Sequence, residues 1–505
     1  MKDSLASDDN NQIIAGDEQT FLEMESIENQ IQKKKIKDAI ITMVGTCLQK
    51  LQIAVVSGMG YITVYLVYFL HSENNDESIT KENTLTISSI LGFSMFSTIW
   101  IGGVLRNYVG IRYIMLGCNI CLILAVLGLI FFRSLFAYQI MFLLIGIGIG
   151  VPQTITNVNI IQYIPEKKGL ISGILNISWT LGCSFFNFLG LQVVNPEDKD
   201  VQFAEEDKQE KRITEGATFY DDDKQEHYKV LTYLYVILGC FVVFSVLSII
   251  LTLPYNKEKY EQNEDIKDKE ENSNNAINNE NSTNESINSK KSSNINDENE
   301  LRFIDILKSW RFYSCLIYCS FKNIHGNLIG SSFQIFALQY DTVSISAQKI
   351  ITTLSFVANL VTTFCLSFFI DKFKYRHIII PDFLLILIHA LTFQFIKTNG
   401  VLYVIYFFLI GVFQAVDNLS TFPHFFRIFG AKYIAIIFGF FNIGTGLFNF
   451  GLNSLVDLIL SGKPPGPDYD HSLSLLMYIS AMFTLITIIL MTLESEDPIL
   501  PQKKV

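Results

Sequence analysis

The stretch 163-YIPEKKGLISGI-174 interrupts two long apolar segments, and it decides how the chain folds. Residues 137–162 before it are nearly all apolar, and so are about 20 residues after it, which is the length that a helix needs to cross a bilayer. Pro165 stops the first helix, and Lys167 and Lys168 are typical of the cytoplasmic side of a membrane. The stretch therefore predicts a tight cytoplasmic turn between two membrane-spanning helices.

The composition extends this prediction to the whole chain. Half of the 505 residues are hydrophobic and only 17% are charged, against roughly a quarter in soluble proteins. Unpaired backbone groups are not tolerated in lipid, so long apolar stretches are predicted to be helices. We number the apolar stretches as helices one to twelve: 39–70, 86–106, 112–132, 137–163, 169–193, 229–254, 310–338, 346–370, 377–396, 401–426, 432–460 and 472–493. The net charge of -11 lies in tails and loops and predicts no nucleic-acid partner.

The distribution of basic residues predicts the orientation in the membrane. Lysine and arginine concentrate in short cytoplasmic loops, and with the N-terminus inside they fall in every inner connection. These connections are 106–112, 167–168, 372–376 and 427–432. Both termini are therefore predicted to be cytoplasmic.

The chain is predicted to contain two six-helix bundles, 39–255 and 301–494. The linker between them, 256–300, is low in complexity and rich in asparagine, a composition typical of disorder. Residues 1–38 and 495–505 are predicted to be cytoplasmic tails.

Matching motifs indicate that the two bundles are diverged copies. Helix four carries 150-GVPQTITN-157 and helix ten carries 411-GVFQAVDN-418, with Gly, Val, Gln and Asn in the same four places. Two further pairs follow in the same order at nearly the same separation: 173-GILN-176 with 439-GFFN-442, and 107-NYVGIR-112 with 371-DKFKYR-376. Matches at a constant separation predict parallel repeats, as in many membrane transporters.

These features resemble the major facilitator superfamily, which has twelve helices in two six-helix halves and the motif G-x-L-x-D-R-x-G-R after helix two. In 103-GVLRNYVGIR-112 the residues Gly103, Gly110 and Arg112 match, as does Leu105, but Asn107 stands where the family has aspartate. The second copy keeps an acid at Asp371 and an arginine at Arg376. The resemblance implies an all-α membrane fold of two pseudo-symmetric bundles, in which these loops latch the inner gate. Without its acid, the first latch is expected to be weakened to hydrogen bonding.

Two segments resemble one branch of that superfamily, the monocarboxylate transporters and oxalate/formate antiporters. The stretch 163-YIPEKKGLISGILNISWTLG-182 is similar to the branch pattern Y-F-P-x-K/R-R/K-G-L-A-x-G, and 58-GMGYITVYLVYF-69 loosely resembles its helix one. The basic residues that the antiporters carry on helices eight and eleven are not evident, because helix eight has none after Lys349 and Lys432 begins helix eleven. The resemblance implies a small organic anion as the substrate.

In the superfamily helices one, four, seven and ten line the central cavity, so polar residues deep in these helices are the candidate site. Helix seven carries Lys322, Asn323 and His325 near the membrane midplane, where charged groups are costly and usually functional. Lys322 is predicted to bind an anionic substrate, with His325 adding a hydrogen bond or a proton site. The alternatives are that Lys322 reaches the membrane surface or pairs structurally with Asp417.

The other three helices supply the remaining candidates. Asp417 on helix ten is either a protonatable coupling site or the counter-ion of Lys322, and Pro152 on helix four is expected to break that helix locally. Helix–helix hydrogen bonding and aromatic packing are the alternatives for the amides and tyrosines. The further binding candidates are Gln414 and Asn418 on helix ten, Gln153 and Asn157 on helix four, and Tyr61 and Tyr65 on helix one, with Asn176 and Trp179 on helix five bordering the site. Lys50 on helix one is expected to reach towards the cytoplasmic surface.

The sequence therefore predicts a secondary active transporter of a small organic solute by alternating access, most specifically a monocarboxylate. Proton cotransport, exchange for a counter-anion and uniport remain open, and an amino acid or another small metabolite is the alternative substrate. A non-transporting membrane receptor or scaffold is the alternative class. No Walker motif, zinc pattern or catalytic Ser/His/Asp set occurs, so we expect a monomeric protein without enzyme activity, metal or cofactor, and no sugar-binding role.

Overall fold

The computed structural model describes residues 29–30, 32–74, 82–194, 224–256, 303–326, 328–329, 345–393, 395, 400–460 and 467–494. Most of the predicted N-terminal tail and acidic outer loop, almost all of the linker and the whole C-terminal tail lie outside the described residues, as does the side chain of Tyr61. The described residues form helices that match the predicted helices in order.

We label these helices α1 to α12. Helical residues 32–53 and Val55–Asn74 form α1. The next five are α2 (Glu82–Leu105), α3 (Ile111–Phe131), α4 (Leu135–Tyr163), α5 (Lys168–Val194) and α6 (Lys224–Leu251). A short helix, Phe303–Lys308, precedes α7 (Trp310–Lys322), α8 (Ile345–Ser367) and α9 (Tyr375–Thr392). The segment Gly400–Leu460 is divided at Gly430 into α10 and α11, and α12 is Pro467–Leu493.

The predicted turn after α4 is present in the structure. Ile164 leaves the helical conformation, and Pro165–Lys167 forms a single 3₁₀ turn before α5 begins at Lys168. The predicted break at Pro152 was wrong, because α4 is continuous through it. A proline removes only the one helical hydrogen bond to the carbonyl of Gly148, and the helix continues on both sides of it.

Gly430 makes the turn between α10 and α11. Its φ of 73° and ψ of 172° lie in a region that only glycine adopts without a Cβ clash. This single residue therefore turns the chain within the predicted inner connection 427–432.

Within the described residues, nine helices are long and apolar enough to cross a membrane by length and composition. They are α2 to α6 and α9 to α12. The other three, α1, α7 and α8, are broken by a turn or only partly described, and α7 ends on a lysine.

Matching glycines make matching contacts in the two halves, α1–α6 and α7–α12. Gly150 on α4 packs against the backbone carbonyl of Met95 on α2, where a Cβ would overlap it. Gly411 on α10 packs in the same way against the carbonyl of Ser355 on α8. The sequence repeat is thus also a structural repeat, in which the glycine lets two helix backbones touch.

A second pair of glycines joins the halves to each other. Gly173 on α5 packs against Ser367 on α8, and Gly439 on α11 packs against Trp100 on α2. The two crossings are related by the same repeat, so the interface between the halves is itself pseudo-symmetric.

Buried apolar side chains form one shared cluster and separate clusters for each half. The shared cluster joins Ile161 and Ile171, at the end that carries the 165–167 turn, to Phe425, Ile434 and Phe441 of the second half. At the other end, the main clusters lie within single halves. Among the described residues the two halves therefore share an apolar core only at the predicted inner end.

Candidate functional site

The buried ion pair Lys322–Asp417 joins α7 to α10. The ammonium of Lys322 lies 2.9 Å from Oδ2 of Asp417 and donates to Oγ1 of Thr421 at 3.1 Å. Asp417 and Thr421 are four residues apart on a helix, so they face the same way. The pairing that the sequence left as an alternative is thus present, and both side chains are less than 10% exposed.

Two tyrosines complete the surroundings of Asp417. Tyr318 donates to Oδ1 of Asp417 at 3.2 Å and shares a 2.6 Å hydrogen bond with the hydroxyl of Tyr375 on α9. Thr421 also donates to Oδ1, at 3.2 Å. Asp417 thus holds one ion pair and two side-chain hydrogen bonds from α7 and its own helix.

His325 lies in a chain of hydrogen bonds within the second half. Its Nε2 is 2.7 Å from Nδ1 of His389, and its Nδ1 is 2.9 Å from the hydroxyl of Ser480 on α12. Nε2 of His389 is 3.0 Å from the carbonyl of Tyr406, which can only accept. His389 therefore donates there; with both rings neutral, it accepts from His325, which in turn accepts from Ser480. Both ring nitrogens of each imidazole are engaged.

Lys50 on α1 is buried, although it was expected to reach towards the cytoplasmic surface. It is 5% exposed, and its ammonium donates to the backbone carbonyl of Gln153 on α4 at 2.6 Å. In the described part of the chain no carboxylate lies within 4 Å of it. Gln49 and Gln52 lie within one helical turn of Lys50 in an otherwise apolar helix. This polar group in the sequence could have indicated that Lys50 is buried.

Those two glutamines bind other residues of the first half. Gln49 exchanges hydrogen bonds with Asn119 on α3 and accepts from Ser248 on α6. Gln52 donates to Asn119 and Ser245. This amide cluster holds α1, α3 and α6 together, as polar groups commonly do between membrane helices.

A cavity of about 250 Å³ lies between α5 of the first half and α8 and α10 of the second. Four amide side chains line it, together with hydroxyl groups and two aromatic rings. The lining residues are Asn176, Trp179, Thr180, Cys183, Ser355, Phe356, Asn359, Thr363, Gln414 and Asn418. The structure thus brings the predicted Gln414, Asn418, Asn176 and Trp179 together.

Asn359 is the lining residue that connects the halves. Its Oδ1 accepts from Thr180 on α5 at 2.9 Å and from Thr363 on its own helix at 3.4 Å. Asn359 was not among the predicted site residues, because helices one, four, seven and ten were expected to line the cavity. The polar pair Asn359 and Thr363, at helical spacing within an apolar helix, was the available signal.

The remaining binding candidates do not line this cavity. Gln153 and Asn157 on α4 are partly buried, and a side-chain oxygen of each is buried without a hydrogen-bond partner among the described residues. Asn323 ends α7 as its C-cap, and Tyr65 packs against the apolar cluster of the first half. The unpartnered oxygens of α4 lie on the helix that Lys50 contacts.

The loops that follow α2 and α8 differ in what they hold. The carboxylate of Asp371 accepts from the backbone N–H of Gly169 at 2.9 Å and of Leu170 at 3.2 Å, so it caps the N-terminus of α5 in the other half. Arg427 lies 3.9 Å from the same carboxylate. Asn107, at the matching place, is exposed, and its side chain makes no hydrogen bond with the described residues.

The other residues of the motif after α2 pack against, cap or hydrogen-bond to neighbouring helices. Gly103 packs against the backbone of Ala435 and Ile436 on α11, and Gly110 is the N-cap of α3. Arg112 donates to the carbonyls of Thr252 at 2.8 Å and Ile250 at 3.2 Å, at the end of α6.

Arg376 belongs to a charged group at the end of α12. The carboxyl of Glu494 is buried there and accepts from the thiol of Cys315 at 3.1 Å. Burial raises the pKa of Glu494 above its usual value, and the Cys315 hydrogen bond with the charges of Arg311 and Arg376 partly offsets this.

Comparison with known proteins identifies the fold. Residues 26–187 match the sequence model of the Major Facilitator Superfamily, which is less than half of the chain. No curated protein sequence matches the chain.

Solved structures of transporters match over most of their length and of this chain. A double-tryptophan mutant of XylE is 14% identical, with a TM-score of 0.64, covering 91% of this chain and 96% of its own. The E. coli fucose:proton symporter FucP is 12% identical, with a TM-score of 0.56 and coverages of 89% and 99%. The human organic anion transporter MFSD10 is 10% identical, with a TM-score of 0.57 and coverages of 90% and 99%. These identities show the fold alone: this chain is a multi-pass membrane protein with the major facilitator fold.

Proposed function

We propose that the protein is a secondary active transporter that carries a small organic anion with one carboxylate across the membrane. The observation that carries this proposal is Lys50, a buried ammonium without a carboxylate partner in the described part of the chain. A buried charge without a counter-ion is costly, and a bound anion removes that cost. The major facilitator fold, with a polar cavity between two halves, supports transport by alternating access.

Residues from both halves would contact the solute. Lys50 supplies the positive charge, and the free side-chain oxygens of Gln153 and Asn157 accept hydrogen bonds from the solute. Gln414 and Asn418 contact the solute from the other half. The direct roles predicted for Lys322, Asn323, His325, Tyr61 and Tyr65 stay predictions, since Lys322 already holds Asp417 and His325 is engaged within its bundle.

A second candidate, transport of a neutral amino acid or another small polar metabolite, is favoured by the cavity itself. Its lining has amides, hydroxyl groups and Trp179, and none of its lining residues is ionisable apart from Cys183. Such a lining suits a neutral solute that hydrogen-bonds and stacks on an aromatic ring.

The closed end indicates how the solute would move. The shared apolar cluster and the Asp371 cap hold the halves together at the end of the 165–167 turn. We propose that this end is cytoplasmic, with both termini on that side, and that a monomer rocks between states closed at one end or the other.

The test is counterflow uptake in proteoliposomes with labelled monocarboxylates, dicarboxylates and neutral amino acids. We expect a monocarboxylate to accumulate, and Lys50→Met to reduce its uptake by about tenfold or more, equivalent to about 1.4 kcal/mol of binding. Lys167→Met is the matched control, because Lys167 is exposed on the turn.

Other outcomes overturn parts of the proposal. Uptake of neutral amino acids that Lys50→Met leaves unchanged would support the second candidate. A folded protein that moves none of these solutes would favour the receptor or scaffold.

A further inference from the structure

The N-terminal end of α1 carries a run of lysines that the proposed transport mechanism does not use. Lys33, Lys34, Lys35 and Lys37 lie in the helical turns just before the predicted membrane-spanning segment 39–70. Lys35 is half-buried and the others are exposed. Among the described residues no carboxylate lies within 4 Å of their ammonium groups. This end of α1 therefore presents a concentrated positive charge to its surroundings.

The same end of α1 also exposes a row of apolar side chains. Ile36, Ile40 and Val44 are 48%, 55% and 48% exposed, and their spacing of four residues places them in one stripe along the helix. Ala39 lies on another face and is fully buried in the apolar cluster shared by the two halves. The stripe therefore faces away from the protein, towards the membrane.

Two of the lysines lie on the same side of the helix as this apolar stripe. Lys33 is seven residues before Ile40, and Lys37 is seven residues before Val44. Seven residues are close to two full helical turns, so each lysine lies in line with a member of the stripe, about 10 Å nearer the N-terminal end. Together they form a surface, the α1 docking face, that is apolar at membrane depth and positively charged just beyond it. It consists of Lys33, Ile36, Lys37, Ile40 and Val44.

The other two lysines are turned away from the α1 docking face. Asp38 follows Lys34 by four residues and Lys35 by three, so it lies on their side of the helix. An acid at this spacing offsets part of the positive charge there. The uncompensated charge is therefore concentrated on the side that also carries the apolar stripe.

Basic residues that follow α2 at the same end are already engaged by the protein. The guanidinium of Arg106 donates to the side-chain oxygen of Gln162, and that of Arg112 donates to the carbonyl of Thr252. The lysines of the α1 docking face are instead exposed to the surroundings. They are therefore better placed than these arginines to meet a negatively charged partner at the membrane surface.

We propose that the α1 docking face binds a lipid surface with anionic headgroups. Its apolar stripe would lie against the acyl chains, and Lys33 and Lys37 against the negatively charged headgroups. A lysine near such a surface strengthens binding by about fivefold. A soluble anion would meet the two lysines but not the stripe, so the partner is the lipid itself. This docking is independent of which solute the protein carries.

The test is native mass spectrometry of the full-length protein titrated with phosphatidylserine or phosphatidylcholine of equal chain length. We expect the first phosphatidylserine to bind about tenfold more tightly than the first phosphatidylcholine. Lys33→Gln combined with Lys37→Gln should remove most of this preference. Both lysines are exposed, so the melting temperature of the variant should match that of the wild type.

The matched control removes the same charge from the other side of the helix. Lys34→Gln combined with Lys35→Gln should reduce the preference for phosphatidylserine by less than about threefold. Equal losses in the two double variants would show a diffuse attraction to positive charge and would overturn the α1 docking face.

Two further outcomes would also overturn it. Soluble glycerophosphoserine has the same headgroup without acyl chains, and it should not displace the lipid; displacement would indicate a site for a soluble anion. Equal binding of the two lipids by the wild type would mean that the lysines are not available to lipid, as expected if the acidic segment 17–28 of the same chain covers them.

Discussion

The first and fourth helices of each half are joined by a lysine, but the two contacts differ in charge. In the second half Lys322 meets Asp417 at 2.9 Å, whereas in the first half Lys50 meets only the backbone carbonyl of Gln153 at 2.6 Å. The repeat places Thr156 at the position of Asp417. Among the described residues every buried carboxylate lies in the second half, at Asp382, Asp417 and Glu494. A repeated scaffold can thus keep a contact between helices while the charge is redistributed between its copies.

The largest effect should come from breaking the ion pair between Lys322 and Asp417. Asp417→Asn leaves the buried Lys322 without its counter-ion, and we expect a loss of about 3 to 5 kcal/mol in the free energy of unfolding. Denaturation of the purified protein in detergent measures this loss.

The contact between Lys50 and the carbonyl of Gln153 in the first half supplies the control. Lys50→Met removes a charge that has no acid partner, so stability should be unchanged or higher. The double variant Lys322→Met with Asp417→Leu should recover most of the loss. A cost below about 1 kcal/mol for Asp417→Asn would show that the two contacts do not differ in this way.

A smaller effect should be equal in the two halves. Gly150→Ala and Gly411→Ala each force a methyl group against a backbone carbonyl, of Met95 and Ser355, and each should cost about 1 to 3 kcal/mol. Gly117→Ala is the control, since a Cβ there has nothing within 4 Å. The same denaturation experiment applies, and clearly unequal costs for the two glycines would contradict the structural repeat.

The loops that follow α2 and α8 should differ in how much they stabilise the end of the helix in the opposite half, and this effect is smaller still. Asp371→Asn weakens the cap on α5 by about 1 kcal/mol, because Asp371 is partly exposed to water. Amide hydrogen exchange at Gly169 and Leu170 should then quicken by about fivefold. Asn107→Ala should leave the exchange of the matching residues of α11 unchanged, and a comparable change there would mean that the first loop also acts as a latch.

The smallest effect concerns pH and belongs to the second half. Burial raises the pKa of Glu494, so the native protein holds this proton more tightly than the unfolded chain does. The resulting stability is present at acid pH and is lost as the pH rises through the raised native pKa. Glu494→Gln should flatten that part of the curve of melting temperature against pH, and a curve that is unchanged by the substitution would contradict the assignment.

Much of the fold could be predicted, because the thickness of the bilayer sets the length of the apolar segments and the repeat leaves matching motifs in the sequence. The apolar segments gave the helices, and the paired motifs 150–157 and 411–418 gave the symmetry that the glycine contacts confirm. The turn at Pro165 followed from the geometry of proline. The supposed break at Pro152 was wrong because a proline removes a single helical hydrogen bond, and α4 continues through it.

The candidate site was only partly predictable, because the burial of a side chain and the identity of its partners depend on the tertiary structure. The pairing of Lys322 with Asp417 was foreseen as one of two alternatives. The burial of Lys50 was not, since a lysine 12 residues into a long helix is compatible with reaching either the surface or a neighbour. Asn359 was missed because its helix was not expected to contribute.

The apolar cluster shared by the two halves has a thermal consequence. Opening that end separates Ile161 and Ile171 from Phe425 and Phe441, so apolar area is exposed to water. Exposure of apolar area raises the heat capacity. The equilibrium between the closed and opened ends should then curve with temperature, so that the closed end is most favoured at an intermediate temperature and loosens on strong cooling as well as on heating.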